Sequence, residues 1–214
     1  MLYYSTIDKL LREILERIMR EPQFDSFRLV GGTALSLQLG HRVSVDIDLF
    51  SDAPYGNIDF ASIQEYFLKN FLYSDMHDQS IDTIGKTYFV GNDASHNVKV
   101  DIFCTDTFIQ DYLYFNSLRL ATIEEIAAMK IDVVQHGGRK KDFWDIHALL
   151  EKMTLPKMVE LHKLRYPYNH DYNTIKSNLI DFHAAENDFT PNCLLGKHWE
   201  FIKEDIEEAC STLK

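Results

Sequence analysis

The sequence is poor in cysteine, in basic residues and in long apolar runs. Its three cysteines, Cys104, Cys193 and Cys210, are far apart and show no C-x-x-C spacing, which argues against a zinc cage or a disulfide framework and favours a reducing, cytoplasmic environment. No segment reaches the roughly 18 apolar residues that a membrane-spanning helix needs, and "MLYYSTIDKLLREILERIMR" lacks the apolar core of a secretion signal. We therefore expect neither secretion nor a membrane anchor.

The shortage of basic residues restricts the partners of the protein. Lysine and arginine number 22 against 33 aspartates and glutamates, which gives a formal net charge of -11. Non-specific binding to nucleic acid depends on a broad positive surface that follows the phosphates. The charge therefore argues against an extended DNA-binding surface, and it leaves room only for a small basic pocket.

The chain has ample material for a core. Of its 214 residues, 45 % are hydrophobic and 13 % are aromatic, so we expect it to fold unaided. Periodicity and capping residues predict helices over residues 5–20, from Thr33 to Gly40 and over 58–71, with strands at 27–30, 43–50, 86–90 and 97–103. From residue 122 onward, helices are predicted over 122–138, 140–153, 155–166 and 198–211.

This order predicts an α+β fold with a mixed sheet followed by a helical region. We expect a first domain over residues 1–120 and a helical second domain over 121–214 that contributes to an active-site cleft.

The predicted strand "VSVDIDLF" carries two carboxylates. Because strand side chains alternate between faces, Ser44, Asp46, Asp48 and Phe50 should share one face, opposite Val43, Val45, Ile47 and Leu49. In "NVKVDIF", the same alternation separates buried Val98, Val100 and Ile102 from Lys99, Asp101 and Phe103. If the two strands are neighbours, Asp46, Asp48 and Asp101 form a three-carboxylate site of the oxygen type that Mg²⁺ prefers.

The segment Gly31-Gly32-Thr33 precedes the first of these strands. A strand that passes through two glycines into a helix exposes backbone N–H groups at the positive end of the helix dipole, where a phosphate can bind. Taken alone, a glycine pair is more often a tight turn than a phosphate site, and a D-x-D pair is more often an exposed strand edge or a loop. Together, these residues indicate a metal-dependent phosphoryl- or nucleotidyl-transfer site.

At these residues the sequence resembles a known family. "GGTALSLQLGHRVSVDIDLF", "VKVDIF" and "MKIDVVQHGGRKKDFWDI" resemble the motifs of the polymerase-beta-like nucleotidyltransferase superfamily. More narrowly, they resemble the AbiEii/AbiGii toxin family, which is related to the MenT toxins. The matched blocks run from about residue 29 to residue 146.

The resemblance implies a role for each matched residue. It implies that the nucleotide phosphates are bound by Gly31, Gly32, Thr33 and, in the R-x-S-x-D run, Arg42 and Ser44. It also implies that Asp46, Asp48 and Asp101 bind metal. Asp101 also corresponds to a carboxylate that helps to activate the attacking hydroxyl.

The later motif implies two further functional residues. Lys130 would hold the triphosphate, and Asp142 would be required for activity. Arg139 is a further phosphate candidate. Without the resemblance, Lys130 reads as a solvated helix residue, Asp142 as a helix cap and Asp145 as a partner of Lys141 one turn away.

The resemblance implies a Mg²⁺- or Mn²⁺-dependent enzyme that transfers NMP from a nucleoside triphosphate to an acceptor, either a tRNA 3′ end or a protein. It also implies the toxin of a type IV-like toxin–antitoxin or abortive-infection system, with a cognate antitoxin. Two alternatives stay open: a catalytically silent nucleotide-binding regulatory module, and a metal-dependent phosphate-ester hydrolase. The motifs select neither the nucleotide nor the acceptor.

Overall fold

The computed structural model describes residues 1–76 and 84–213. Contacts between residues divide the chain into two compact units. The sheet unit comprises Tyr4–Ala34 and Ser44–Ala121, and the helical unit comprises Met1–Tyr3, Leu35–Val43 and Thr122–Lys214. The division at residue 120 remains a prediction. No helix within the described residues is both long and apolar enough to cross a membrane.

The described strands of the sheet unit form one mixed sheet in the order β3-β4-β5-β2-β1-β7-β6. The strands are β1 Arg28–Leu29, β2 Asp46–Ser51, β3 Tyr73–Met76, β4 Gly85–Asp93, β5 His96–Cys104, β6 Leu113–Phe115 and β7 Leu118–Leu120. The pairs β2–β5 and β1–β7 are parallel, and the others are antiparallel. The α+β class with a mixed sheet is thus confirmed, although the sequence did not predict β3, β6 and β7.

The helices are α1 Lys9–Ile18, α2 Gly31–Leu39, α3 Phe60–Asn70, α4 Ile123–Gln135, α5 Lys140–Leu150, α6 Leu155–Arg165, α7 Tyr172–Asn178, α8 His183–Glu186 and α9 Trp199–Ser211. Helix α1 begins later than predicted because the Asp8 side chain caps it, accepting a hydrogen bond of 2.7 Å from the Leu11 N–H. The short helices α7 and α8 were not predicted.

Helix α2 begins at Gly31, two residues before the predicted cap Thr33. The prediction that Thr33 is the N-cap is therefore wrong, and its hydroxyl has other partners, described below. Strand β2 likewise begins at Asp46 and not at Val43. Before Asp46 the backbone donors are used elsewhere, because the Val43 N–H donates to the Asn192 carbonyl and the Ser44 N–H to that of Thr6.

The core of the sheet unit contains the apolar face of α1 and the inner face of β5. Leu11, Ile14, Leu15 and Ile18 of α1 are at most 1 % exposed. The burial of each of these side chains stabilises the fold by about 1.5–3 kcal/mol. In β5 the predicted alternation is confirmed: Val98, Val100 and Ile102 are buried, whereas Lys99, Asp101 and Phe103 are half-buried. The outer face of the sheet can therefore carry charged groups.

The helical unit packs around α4 and α5. Trp144 of α5 stacks on Trp199 of α9 with ring centroids 5.9 Å apart, and Phe143 packs edge-on against Phe182. Phe143, Trp144 and Leu149 are all buried and belong to the core of this unit.

Candidate functional site

Strands β2 and β5 bring the three predicted carboxylates onto one face of the sheet. In their parallel register Asp48 lies opposite Asp101, and Asp46 lies opposite Lys99. The residues between them, Ile47 and Val100, are fully buried on the other face. Asp46, Asp48, Asp101 and Lys99 therefore form a block of four charged side chains on the half-buried face, here called the acidic face.

The alternation predicted for β2 holds only within the strand. Asp46, Asp48 and Phe50 alternate with buried Ile47, Leu49 and Ser51. Upstream, Val45 is 63 % exposed and Ser44 is buried. The prediction that residues 43–45 continue the alternation is wrong, because β-ladder hydrogen bonds begin only at Asp46.

Both carboxylate oxygens of Asp101 have partners within the sheet unit. The Thr87 hydroxyl on β4 donates to Oδ1 at 2.6 Å, and the Lys99 ammonium forms an ion pair with Oδ2. The side chain of Asp101 is 15 % exposed and that of Lys99 is 40 % exposed. Lys99 is thus a cation of the acidic face that the sequence analysis did not select, although the i, i+2 spacing on a strand places it beside Asp101.

Gly31 approaches the acidic face from the start of α2. Its φ is +66°, and a Cβ at this position would collide with Oδ2 of Asp48. Glycine is required here for two reasons, the left-handed backbone and the close approach to the carboxylate. The glycine pair is therefore more than a turn, because it places the N-terminus of α2 directly against Asp48.

Thr33 and Ser44 are buried next to this turn. The Thr33 side chain lies 2.8 Å from the Ser44 hydroxyl and also donates to the carbonyl oxygen of Asp46. Thr33 is fully buried and Ser44 is 7 % exposed. In this structure both hydroxyls connect the first turn of α2 to the start of β2, which fixes the backbone that carries Asp46.

The donor set of the acidic face suits a hard dication, since carboxylate oxygens are the ligands that Mg²⁺ prefers. Nevertheless, the described residues contain no group of three or more His, Cys, Asp or Glu side chains arranged to hold a metal ion. The acidic face therefore fits a dication in residue type and strand register. Its third carboxylate, that of Asp101, contacts Lys99 and Thr87.

The helical unit contains a second charged group, here called the buried cluster: His41, Arg42, Lys130, Asp142 and Asp145. Asp145 on α5 is its centre and is fully buried. Arg42 donates to both of its oxygens, with Nε at 2.7 Å and Nη2 at 2.8 Å, and His41 Nε2 lies at 2.8 Å. Lys130 Nζ is 2.6 Å from Oδ2. Asp145 does not form the predicted ion pair with Lys141, because Arg42 and Lys130 already pair with its carboxylate.

Lys130 and Asp142 complete the cluster. Lys130 Nζ on α4 lies 2.7 Å from Oδ1 of Asp142, and the Asp142 carboxylate also accepts the Arg139 backbone N–H at 3.1 Å. The reading of Asp142 as a cap of α5 is thus correct in part, since the same carboxylate also neutralises Lys130. Lys130 is only 6 % exposed and is not a solvated helix residue. The Arg139 side chain, by contrast, is 64 % exposed.

The oppositely charged groups of the buried cluster stabilise each other's ionised forms. Burial by itself raises the pKa of Asp145, but Arg42, Lys130 and the hydrogen bond from His41 hold that pKa well below its usual range. Burial also acts to raise the pKa of Asp142, and Lys130 lowers it overall. Burial disfavours the Lys130 ammonium, yet Asp145 and Asp142 leave its pKa raised. At neutral pH these three groups are therefore ionised.

His41 and Arg42 are fixed by the C-terminal part of the helical unit. The His41 carbonyl accepts the Leu194 N–H at 2.9 Å, and Arg42 forms an isolated antiparallel bridge with Cys193. His41 is 2 % exposed, and among the described residues its Nδ1 has no hydrogen-bond partner. The contact between His41 and Asp145 was not predicted from the sequence, because the two residues are 104 positions apart along the chain.

The fold places the chain in a class of proteins. JHP933 from Helicobacter pylori aligns with a TM-score of 0.57 at 19 % identity, covering 95 % of this chain and 88 % of that one. MenT4, a nucleotidyltransferase toxin from Mycobacterium tuberculosis H37Rv, aligns with a TM-score of 0.58 at 14 % identity, covering 94 % and 80 %. At these identities the likeness establishes the fold, which is that of the nucleotidyltransferases.

The family follows from the sequence match. The family model described as "Nucleotidyl transferase AbiEii toxin, Type IV TA system" matches residues 13–210. The chain therefore belongs to the AbiEii nucleotidyltransferase toxin family, and the family predicted from the motifs is confirmed. An uncharacterised protein from Aquifex aeolicus (strain VF5) is similar to this chain, with 27 % identity over 205 residues that cover 90 % of each chain.

Proposed function

We propose that the protein transfers a nucleoside monophosphate from a nucleoside triphosphate to an acceptor hydroxyl, with Mg²⁺ or Mn²⁺ held at the acidic face. The observation that carries this proposal is the parallel register of β2 and β5, which sets Asp48 opposite Asp101 with Gly31 against Asp48. Three carboxylates on one sheet face repel each other. A dication offsets this repulsion.

The N-terminus of α2 is the proposed phosphate contact. The first N–H groups of a helix have no intrahelical acceptor and carry the positive end of the helix dipole. Gly31 and Gly32 lie at this end, where the absence of side chains allows a phosphate oxygen to approach the backbone. We assign Thr33 and Ser44 to holding this turn in place.

Asp46 and Asp48 are the proposed metal ligands, with Asp101 as the third carboxylate. A bound metal ion supplies charge neutralisation and Lewis acidity at the phosphates. In the proposed reaction, the acceptor oxygen forms a bond to the α-phosphorus while the bond to pyrophosphate breaks. Asp101 receives the proton of the acceptor hydroxyl.

Lys130 and Arg139 remain proposed phosphate contacts. The Lys130 ammonium has three N–H donors, and its two carboxylate partners leave one for a phosphate oxygen. The Arg139 side chain is 64 % exposed, and its Nε lies 3.7 Å from Oδ2 of Asp142, so the guanidinium can reach an anion while it stays near that carboxylate. For Arg42 and Asp142 the contacts support a positioning role, since both take part in buried ion pairs.

We propose an RNA 3′ end, with tRNA as the first candidate, as the acceptor, and a protein hydroxyl as the second. The formal charge of -11 favours a short contact with an RNA end over a long duplex contact. Family membership supports a toxin role with a cognate antitoxin, in a type IV-like toxin–antitoxin or abortive-infection system.

A catalytically silent nucleotide-binding module is the second candidate. The observation that favours it is the ion pair of Lys99 with Asp101, which occupies the third carboxylate. The two candidates differ in whether nucleotide is consumed.

The deciding experiment incubates the protein with Mg²⁺, total tRNA and each α-³²P-labelled nucleoside triphosphate in turn. The matched pair of variants is Asp48→Asn and Asp75→Asn, because Asp75 is an exposed carboxylate at the edge of the same sheet. Transfer predicts labelled RNA, or labelled protein, with the wild type and Asp75→Asn and none with Asp48→Asn. Nucleotide binding without label on any acceptor supports the silent module. Released nucleoside monophosphate without acceptor label indicates hydrolysis.

A further inference from the structure

The four side chains of the acidic face occupy the corners of a block on two adjacent strands. Asp46 and Asp48 stand on β2, and Lys99 and Asp101 stand opposite them on β5. Three corners are carboxylates and the fourth is an ammonium. Side chains directly opposite on paired strands have Cβ atoms about 4.5–5.5 Å apart, so one cation at the fourth corner is close to more than one carboxylate.

The ammonium at that corner is directed to Asp101. Lys99 Nζ forms its ion pair with Oδ2 of Asp101, two residues along the same strand, while Thr87 holds Oδ1. A dication that used Asp101 as a ligand would have to share or replace the Lys99 contact. The pairing is consistent with the finding that the described residues assemble no three-ligand metal site.

From this geometry we propose that Lys99 is a built-in counter-ion of the acidic face, which a divalent cation must displace from Asp101 in order to bind there. The inference rests on the proposed metal role of the three carboxylates. Lys99 is a positioning residue in this scheme. Its ammonium stabilises Asp101 in the absence of metal and thereby weakens metal binding.

The expected change in metal affinity follows from the exposure of the Lys99–Asp101 ion pair. The Lys99 side chain is 40 % exposed, and ion pairs at such sites contribute up to about 1 kcal/mol. Removing the competitor should therefore tighten metal binding by up to about fivefold. The effect should also shrink at high ionic strength, because salt screens exposed pairs more than buried ones.

The test measures Mn²⁺ binding without nucleotide or RNA, by the loss of the electron paramagnetic resonance signal of free Mn²⁺. The variants are Lys99→Met, Lys99→Arg and Lys69→Met. Lys69 is the matched control, because it is a 69 % exposed lysine of the same unit whose partner is Glu65. We expect tighter binding for Lys99→Met only, with Lys99→Arg and Lys69→Met within about twofold of wild type.

A double-mutant cycle separates displacement from a general effect of charge. In an Asp101→Asn background, Lys99→Met should tighten Mn²⁺ binding by less than half of its effect in the wild type, because the ion pair no longer exists. An equal effect in both backgrounds overturns the inference. So does unchanged or weaker Mn²⁺ binding in Lys99→Met, or no Mn²⁺ binding in any variant. Circular dichroism establishes that each variant is folded.

The proposed function is tested separately, because no transfer step enters this measurement. If Lys99→Met tightens Mn²⁺ binding and the wild-type protein labels no acceptor, the counter-ion inference stands and the transferase proposal fails. If label is transferred and Lys99→Met leaves Mn²⁺ binding unchanged, the transferase proposal stands and the inference fails.

Discussion

The acidic face and the buried cluster use the same kinds of charged residues under opposite physical conditions. The acidic face has three carboxylates and one ammonium on a half-buried surface. In the buried cluster two carboxylates are matched by Lys130 and Arg42, and the exposed fraction of each of these four side chains is at most 7 %. In the first group carboxylates outnumber ammonium groups, whereas in the second the carboxylates and cations are paired with each other.

The difference indicates different functions. Buried charges are tolerated when they are paired and hydrogen-bonded, and removal of one partner leaves an uncompensated charge in a medium of low polarity. An unbalanced group near the surface gains from an external cation. We therefore expect substitutions at the acidic face to affect mainly activity, and substitution of Asp145, the centre of the buried cluster, to affect mainly stability.

The largest expected effect is on catalysis at the acidic face. Asp46→Asn should lower nucleotidyl transfer on the order of a thousandfold, because a proposed metal ligand and its charge are lost. Its free energy of unfolding should stay within about 1 kcal/mol of wild type, since Asp46 is only half-buried and asparagine keeps its size. Transfer assays and denaturant unfolding of the same preparation provide both values. Wild-type transfer by this variant contradicts the assignment.

The next effect is on stability in the buried cluster. Asp145→Ala should lower the free energy of unfolding by about 3–5 kcal/mol, because Arg42 and Lys130 lose a shared buried partner. The control is Asp205→Ala, since Asp205 is 54 % exposed where it pairs with His147, and an exposed pair contributes up to about 1 kcal/mol. Equal losses measured by urea unfolding would show that burial does not distinguish these pairs.

A smaller effect of the buried cluster should appear on acidification. The folded-state pKa values of Asp142 and Asp145 are lowered from 3.8. Their contribution to stability is therefore fully present above the unfolded-state pKa and is lost as the pH falls through the lower folded-state values. Between pH 5 and pH 3 the unfolding free energy of wild type should fall more steeply than that of Asp145→Asn. Parallel pH profiles would contradict the linkage.

The smallest effect concerns the glycine beside Asp48. Gly31→Ala and Gly137→Ala both place a side chain at positive φ, but only the first meets a carboxylate, since Gly137 has no atom within 4 Å of a Cβ. Both should lose about 1–2 kcal/mol of stability from backbone strain. Gly31→Ala should lose activity in addition, because Asp48 is displaced. The ratio of the activities of the two variants measures the effect of the close approach of residue 31 to Asp48. A ratio near unity argues against a role for this approach in activity.

Much of the acidic face was predictable from local pattern. Alternation within "DIDLF" and "NVKVDIF" places Asp46, Asp48 and Asp101 on polar faces, because the strand period of two is a property of the backbone. The same alternation also places Lys99 beside Asp101. Periodicity failed at residues 43–45, where hydrogen bonds to distant segments replace the ladder.

The buried cluster was not predictable in the same way. Lys130 and Asp142 were selected through family resemblance, and their contact joins two helices. Asp145 was expected to pair with Lys141, but it meets Arg42, 103 positions away. Ion-pair partners at such separations depend on the packing of whole helices and leave no local signal.

The sequence by itself determined the family, the α+β class, the polar faces of β2 and β5 and the need for glycine before the D-x-D pair. These features depend on local periodicity and on the order of the motifs. Only the tertiary structure decided that β2 and β5 are parallel neighbours, that Asp101 is held by Lys99 and Thr87, and that Asp145 anchors a buried cluster. Pairing between distant segments is a consequence of packing, since burial and hydrogen bonding select one partner among many that the local pattern allows.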